Sequence, residues 1–322
     1  MKFGVLLPHF GEWASRETLI DNAPVIEQMG FDSLWVRDHL VWQPHEMEGE
    51  DRTFLEPLMT LAALSSVTTR MMLGTAVLIP IRWPLKLAQN LATLSFLSGG
   101  RVMAGMGLGS NEAEFAAAGL DRGRRIPILE ETLEICRRVW AEDHVSYRGE
   151  VFEFRDFTLR PKPAAPIPFL YGGSTRAAVR RAMTLTEGWI PGRIPIDTLR
   201  DRLSYLHRLS EEHSKKILLG TIPLVLADPD RRRARESIDV KALGVSSAGA
   251  RHWVTPASGG FNTVDDLEGL LVVGDRSDCL RSMEAFADLG LELVILDVRL
   301  GFGEYMQQLE RLAEWVLPEF GD

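Results

Sequence analysis

Residues 73–109 read LGTAVLIPIRWPLKLAQNLATLSFLSGGRVMAGMGLG: a β-rich run, a stretch of helical period and a second β-rich run. The first run belongs to a predicted strand over Met71–Ile79, and Pro84 stands where prolines commonly open helices. Apolar residues then recur at helical spacing over Pro84–Leu97, and Val102–Met106 forms the next strand. Strand, helix and strand in that order make a parallel pair joined by a crossover helix.

The same alternation extends in both directions. Further strands are predicted at Phe3–Leu7, Ser33–Arg37, Pro168–Tyr171, Gly188–Ile190, Leu218–Leu226 and Leu293–Asp297. Helical patterns fall near Glu17–Met29, Pro57–Thr68, Ile126–Trp140, Arg176–Thr186, Ile196–Glu212, Asp230–Lys241 and Ser277–Leu289. Eight such units favour a closed (β/α)8 TIM barrel over an open doubly wound sheet, and no Gly-, Pro- or Ser-rich linker divides them. The expectation is one domain over residues 1–322, with insertions after strands four and seven. Gly109–Pro166 is far longer than one helix requires and holds a candidate hairpin, Val145–Tyr147 and Val151–Phe154, around Arg148-Gly149-Glu150. Gly244–Gly274 is rich in Gly, Ser and Ala, and the acidic stretch Val41–Thr53 follows strand two. Such excursions after strand ends are read either as active-site lids or as plain surface loops.

Composition narrows the function. Of 322 residues, 45% are hydrophobic and 25% charged, a balance typical of a globular domain. The formal charge of −9 argues against a nucleic-acid partner. No apolar stretch reaches membrane-spanning length, and no signal peptide precedes Phe3, so a cytoplasmic location is expected. The two cysteines, Cys136 and Cys279, form no CxxC pattern, and without HExxH or a His/Cys cluster no metal is expected. There is no GxSxG elbow and no Walker loop. The runs Arg231–Arg233 and His45–Asp51 read as solvated surface, although the arginines could attract an anionic tail.

Four places can carry chemistry. Asp38-His39 ends strand two at the rim, where an acid beside an imidazole can orient a ring or move a proton; the alternative is a capping aspartate beside an incidental histidine. On strand three, Gly74 and Ala76 are small enough for a planar ring to approach the backbone. After strand four, Gly105-Met106-Gly107-Leu108-Gly109-Ser110-Asn111-Glu112 resembles a ligand loop, but no helix is expected directly behind it as a dinucleotide fingerprint requires. After strand five, Gly172-Gly173-Ser174-Thr175 leads into a helix, where unpaired N–H groups and the helix dipole favour a phosphate. Trp42, Phe54, His252, Trp253 and Phe261 either line an apolar substrate pocket or pack their loops down.

These pieces, in this order, resemble the bacterial luciferase-like oxidoreductases. The matching stretches are FGVLLP, GFDSLWVRDH, the 73–109 segment, RRVWAEDHVSYRGEVFEF, RPKPAAPIPFLYGGSTRAAVRRAMTLTEGWIP and ADLGLELVILDV. The resemblance implies a barrel, often a homodimer, binding FMN or the deazaflavin coenzyme F420 at its C-terminal mouth. Asp38 and His39 would lie beside the ring, and a non-prolyl cis peptide at Ala76–Val77 would back it. Gly107, Leu108, Gly109, Ser110, Asn111 and Gly172–Thr175 would hold the ribityl phosphate region. FMN-using luciferases carry histidine at the position of Asp38 and a phosphate-binding arginine at that of Leu108. Asp-His instead resembles the F420-dependent branch, which moves a hydride to or from a small-molecule substrate. His39 is then the first candidate acid/base, Glu112 the second and Trp42 a wall of the site. The lysines and arginines that grip a sugar phosphate in that branch have no clear match. The alternatives are an FMN-dependent two-component monooxygenase supplied by a flavin reductase, and a coenzyme-binding barrel without catalysis.

Overall fold

The computed structural model describes residues 1–42, 50–243 and 250–320. In chain order its strands are β1 Lys2–Leu6, β2 Ser33–Val36, β3 Met72–Thr75, β4 Val102–Met106, β5 Val145–Arg148, β6 Glu153–Phe157, β7 Phe169–Tyr171, β8 Gly188–Trp189, β9 Leu218–Thr221, β10 Leu224–Ala227, β11 Leu271–Gly274 and β12 Leu293–Leu296. Eight of them close a barrel in the order β1-β2-β3-β4-β7-β8-β9-β12. All neighbours are parallel, and β1 meets β12 with Lys2 opposite Leu293. The main helices are α1 Ala23–Gln28, α2 Pro57–Ser65, α3 Pro84–Ser98, α4 Glu112–Ala117, α5 Arg125–Ala141, α6 Arg176–Leu185, α7 Ile196–His213, α8 Arg231–Glu236, α9 Arg276–Asp288 and α10 Tyr305–Trp315.

Alternation along each strand divides the core in two. Outward residues such as Phe3, Val5, Leu34, Val36, Val294 and Leu296 pack beneath the helices, while Leu6, Trp35, Leu170, Ile190, Ile222, Leu293 and Ile295 fill the barrel. Trp35 is fully buried and donates its Nε1–H to Ser33 Oγ at 2.7 Å. Its indole lies so close to Gly74 that a Cβ there would stand 2.2 Å from the ring. The space expected to admit a ligand at Gly74 is therefore occupied by tryptophan.

Several expectations are corrected, each for a local reason. The stretch Leu218–Leu226 is two strands, because Pro223 has no N–H for the ladder: β9 stays in the barrel and β10 pairs with β11 instead. That partner lies in Gly244–Gly274, where no strand was expected; residues 244–249 of the excursion and 43–49 of the acidic stretch lie outside the described residues. The helix expected over Glu17–Met29 is a π turn, Glu17–Asp21, followed by α1, which starts beside Pro24. The hairpin after β4 exists as β5 and β6, but Arg148 joins the ladder opposite Glu153 and the turn is 149–152, so Val151 and Phe152 lie outside the strand. Glu131 of α5 fastens that turn, accepting the N–H groups of Glu150, Val151 and Phe152.

Candidate functional site

The C-terminal ends of the barrel strands gather the candidate residues, and the inward-facing series on β2 continues past Trp35 to Arg37. Asp38 is next, on the outer side of the rim. It is buried, and its carboxylate accepts two hydrogen bonds from Arg82, at 2.5 and 2.8 Å, and one from the Ile79 N–H at 2.9 Å. Arg82 also donates to Glu56 at 2.9 Å. Burial opposes the guanidinium's charge, but the two carboxylates outweigh it and raise its affinity for the proton. Held by the Arg82 guanidinium and the Ile79 N–H, Asp38 ties the end of β2 to the segment after β3 and acts as a brace.

His39 has the opposite character. Its side chain keeps 31% of its surface exposed, and its Nδ1 lies 3.1 Å from Oε1 of Glu114, a carboxylate that is 1% exposed. Glu114 also accepts the Leu40 N–H at 2.9 Å, so it fixes both the ring and the backbone beside it. A carboxylate accepts only, which makes Nδ1 the protonated nitrogen and leaves Nε2 as the acceptor or, in the imidazolium, the donor. The ring packs against Trp42 and Phe54, each with centroids 5.2 Å away.

Glu112, the second candidate acid, lies exposed in the first turn of α4, while Glu114, two positions on, faces inward beside buried Phe115. Successive helical positions differ by about 100°, so neighbours two apart lie on opposite sides. The buried acid beside His39 was thus legible only once α4 was known to begin at Glu112, where no helix was expected. Asn111 caps α4 through the Ala113 N–H and donates to Val41 O at 3.3 Å.

The opposite rim is built from small residues. The Ala76–Val77 peptide is cis, and both side chains are half-buried at the top of the inner cluster. A Cβ on Gly107 would stand 2.6 Å from a Val77 methyl, and one on Gly172 2.9 Å. The N–H groups of these glycines donate to Leu78 O and Met106 O, both at 2.9 Å. Their glycine character seats Val77 against two strand ends, and their own N–H groups are already bonded within the backbone. Leu108 packs on the core, and Gly109 and Ser110 are progressively more exposed. Gly173, at φ +109°, Ser174 and Thr175 lead into α6, which Thr175 caps through Ala178 N–H. The first-turn N–H groups of α6 lie at the positive end of its dipole.

The aromatic lid set divides. Trp42 and Phe54 meet Phe10 and His39 at the mouth, with the loops zipped by a Phe10–Phe54 bridge. Trp253 and Phe261 pack on each other, 5.3 Å apart, in a separate cluster over β10 and β11, and His252 is exposed. His9, which the sequence reading passed over, is fully buried: Nδ1–H donates to Leu7 O at 3.0 Å and Nε2 accepts the Arg37 N–H at 3.1 Å. Burial holds its pKa down to about 4, so it is a neutral strut at the end of β1.

The sequence profile of the luciferase-like monooxygenase family matches residues 1–293. The chain belongs to that family. A family relative, named F420-dependent glucose-6-phosphate dehydrogenase, from Amycolatopsis mediterranei strain U-32, is 28% identical over 319 residues, covering 94% of this chain and 93% of its own. The fold is that of an F420-dependent secondary alcohol dehydrogenase solved with an F420-acetone adduct, at TM-score 0.81 and 19% identity over 100% of this chain and 99% of the other. It is equally that of a type II Baeyer-Villiger monooxygenase component from Pseudomonas putida in complex with FMN, at TM-score 0.76 and 16% identity over 99% of both chains.

Proposed function

We propose that the chain is an F420-dependent oxidoreductase that transfers a hydride to or from a small organic molecule. The observation that carries this reading is His39, half-exposed at the mouth with Nδ1 fixed by buried Glu114, which supplies the proton movement a hydride transfer must be paired with. The near full-length likeness to a relative named as F420-dependent supports the choice of coenzyme. So does Leu108, apolar and packed on the core where FMN-using relatives are expected to hold phosphate with an arginine.

The residues fit such a group. Ala76 and Val77 offer a small apolar bed, and the capped N-terminus of α6, behind Gly173-Ser174-Thr175, offers N–H groups to a phosphate. When bound, F420 supplies the carbon that gives or receives the hydride. His39 holds or accepts the substrate's proton at Nε2, Glu114 stabilises the imidazolium, and Trp42, Phe54 and Phe10 keep water from the ring's apolar side. Asp38 keeps the bed in place through Arg82 and Ile79 and does not itself move a proton. The homodimer reading is supported by exposed apolar side chains on α2 and α3, Met59, Phe96 and Leu97.

The test is to supply reduced F420 without oxygen together with a panel of small ketones and aldehydes, following the deazaflavin absorbance. Reoxidation of F420 that depends on a carbonyl compound, and is lost in His39→Asn, is the expected result. Turnover that instead requires reduced FMN, oxygen and a flavin reductase would replace this reading with the monooxygenase one.

A further inference from the structure

The loop that leads into α6 is held from behind by two buried side chains. Trp189 of β8 is fully buried and donates its Nε1–H to Gly173 O at 2.9 Å. Arg202 of α7, only 7% exposed, donates its Nε–H to Ser174 O at 3.0 Å. The same guanidinium donates to His252 O at 2.5 Å and pairs with Asp201. Asp201 in turn accepts two hydrogen bonds from Arg176, the first residue of α6, at 2.6 and 3.3 Å. Thr198, buried one turn before Arg202 on the same face of α7, accepts the Val254 N–H at 2.8 Å. Gly173, Ser174 and Arg176 are thus anchored to β8 and α7, and α7 holds the 252–254 segment as well.

We propose that Arg202, together with Trp189, is a positioning residue for the coenzyme's phosphate, and that it ties the 252–254 segment to the loop that receives that phosphate; the inference rests on the coenzyme reading above. A trans peptide is planar, so its C=O and the N–H that follows point in opposite directions. The cis bonds are Ala76–Val77 and Arg160–Pro161, so the 173–174 and 174–175 peptides are trans. With Gly173 O held by Trp189 and Ser174 O by Arg202, the N–H groups of Ser174 and Thr175 point away from both buried side chains. Among the described residues neither N–H meets an acceptor. Without the two anchors each peptide plane could turn over and present a carbonyl to the anion in place of a donor. Gly173, at φ +109°, offers little resistance of its own to such a turn.

Arginine suits this task because its fork of donors serves two carbonyls from separate segments at once, whereas a lysine ammonium is a single point donor. Asp201, shared by Arg176 and Arg202, supplies the countercharge that lets the guanidinium be buried. Because one guanidinium bridges Ser174 O and His252 O, a ligand that fixes the Ser174 peptide from the outer side also steadies the 252–254 backbone. Around the barrel Trp189 lies on β8, four strands from β2, whose end carries His39. Arg202 therefore acts on how the coenzyme is held and not on the proton, and its signature is a loss confined to ligands that carry a phosphate.

Fluorescence titration of the full-length protein with two pairs of ligands tests this: F420 and its phosphate-free deazaflavin–ribitol core, and FMN and riboflavin. Within whichever pair binds, Arg202→Met should weaken the phosphate-bearing member about tenfold and the phosphate-free member less than about twofold, the scale of hydrogen bonds to a charged group. Arg202→Lys should recover part of the loss. Trp189→Phe, which keeps an aromatic ring without the N–H, should repeat the selective loss on a smaller scale, and it carries the test if Arg202→Met does not fold. Hydrogen exchange gives a second readout: the phosphate-bearing ligand should slow exchange over residues 250–254 in the wild type, and its phosphate-free partner should not. Equal weakening of both members of a pair, no weakening in either variant, or exchange over 250–254 that ignores the ligand would each overturn the assignment. A phosphate-selective loss seen with FMN, in a protein that does not bind F420, would count against the coenzyme reading and leave Arg202 in its role. If neither pair binds, both readings fall.

Discussion

On the β3–β4–β7 side of the mouth the chain is small and apolar, with Val77 pressed against Gly107 and Gly172, whereas on the β1–β2–β12 side it is aromatic and ionic, with Phe10 beside Arg37 and Arg299. The first side makes a flat bed by omitting side chains and closing the N–H groups of its two glycines into the backbone. The second holds the buried carboxylate of Asp297 against the guanidiniums of Arg299 and Arg193. On the proposed reading the planar coenzyme lies on the first side. Asp38 and His39, adjacent at the end of β2, divide between them: Asp38 braces the bed, and His39 faces the aromatic and ionic side.

The sharpest way to break this division is at that pair. His39→Asn should lower turnover by about 10²–10⁴-fold with little change in F420 affinity, measured by stopped-flow reoxidation and fluorescence titration. A parallel collapse of coenzyme binding would mean that the two sides are one. Asp38→Ala should instead act on the bed, leaving Arg82 with Glu56 alone. The expected loss is about 3 kcal/mol in urea unfolding, at the low end for a buried ion pair because Arg82 is partly exposed. An Asp38→Ala protein of unchanged stability would remove the brace from the account.

The ionic side has its own signature in pH. His9 is neutral in the folded protein, with a pKa of about 4 against 6.5 for the free side chain. Below pH 6.5 the unfolded chain takes up a proton that the folded chain refuses, so stability falls from there down to about pH 4. The total through this one group is about 3 kcal/mol. Comparing wild type with His9→Phe in denaturant melts between pH 7 and 4 checks it; parallel curves would show that His9 is not the sensor. The smallest effect belongs to the bed. Gly172→Ala places a Cβ 2.9 Å from a Val77 methyl and should cost about 1–2 kcal/mol, most of it recovered in the double variant with Val77→Ala. Additive losses in that pair would place the strain elsewhere.

The barrel was legible in the sequence because period-two and period-3.6 runs alternate, and the strand Val102–Met106 was bounded to the residue. The ends of elements were less so where a proline intervened, at Pro24 and Pro223, since a continuous apolar run hides the missing N–H. In the site, Asp38-His39 and the glycine loops stood out as unusual residues beside strand ends. Arg37, Asp297 and Arg299 did not, although the inward alternation that buries Trp35 and Ile295 points at two of them. Glu114 was hidden because a six-residue helix of ordinary composition decides which of two glutamates faces inward. The meaning of Gly74, Gly107 and Gly172 was invisible too, because the side chains that fill their space arrive from other strands.

The account turns on which coenzyme the bed accepts, and the most direct measurement is equilibrium titration of the full-length protein with F420 and, separately, with FMN, read by the fluorescence of each ring. The proposed reading predicts saturable F420 binding at least about tenfold tighter than any FMN binding. Tight binding of FMN with none of F420 would contradict it.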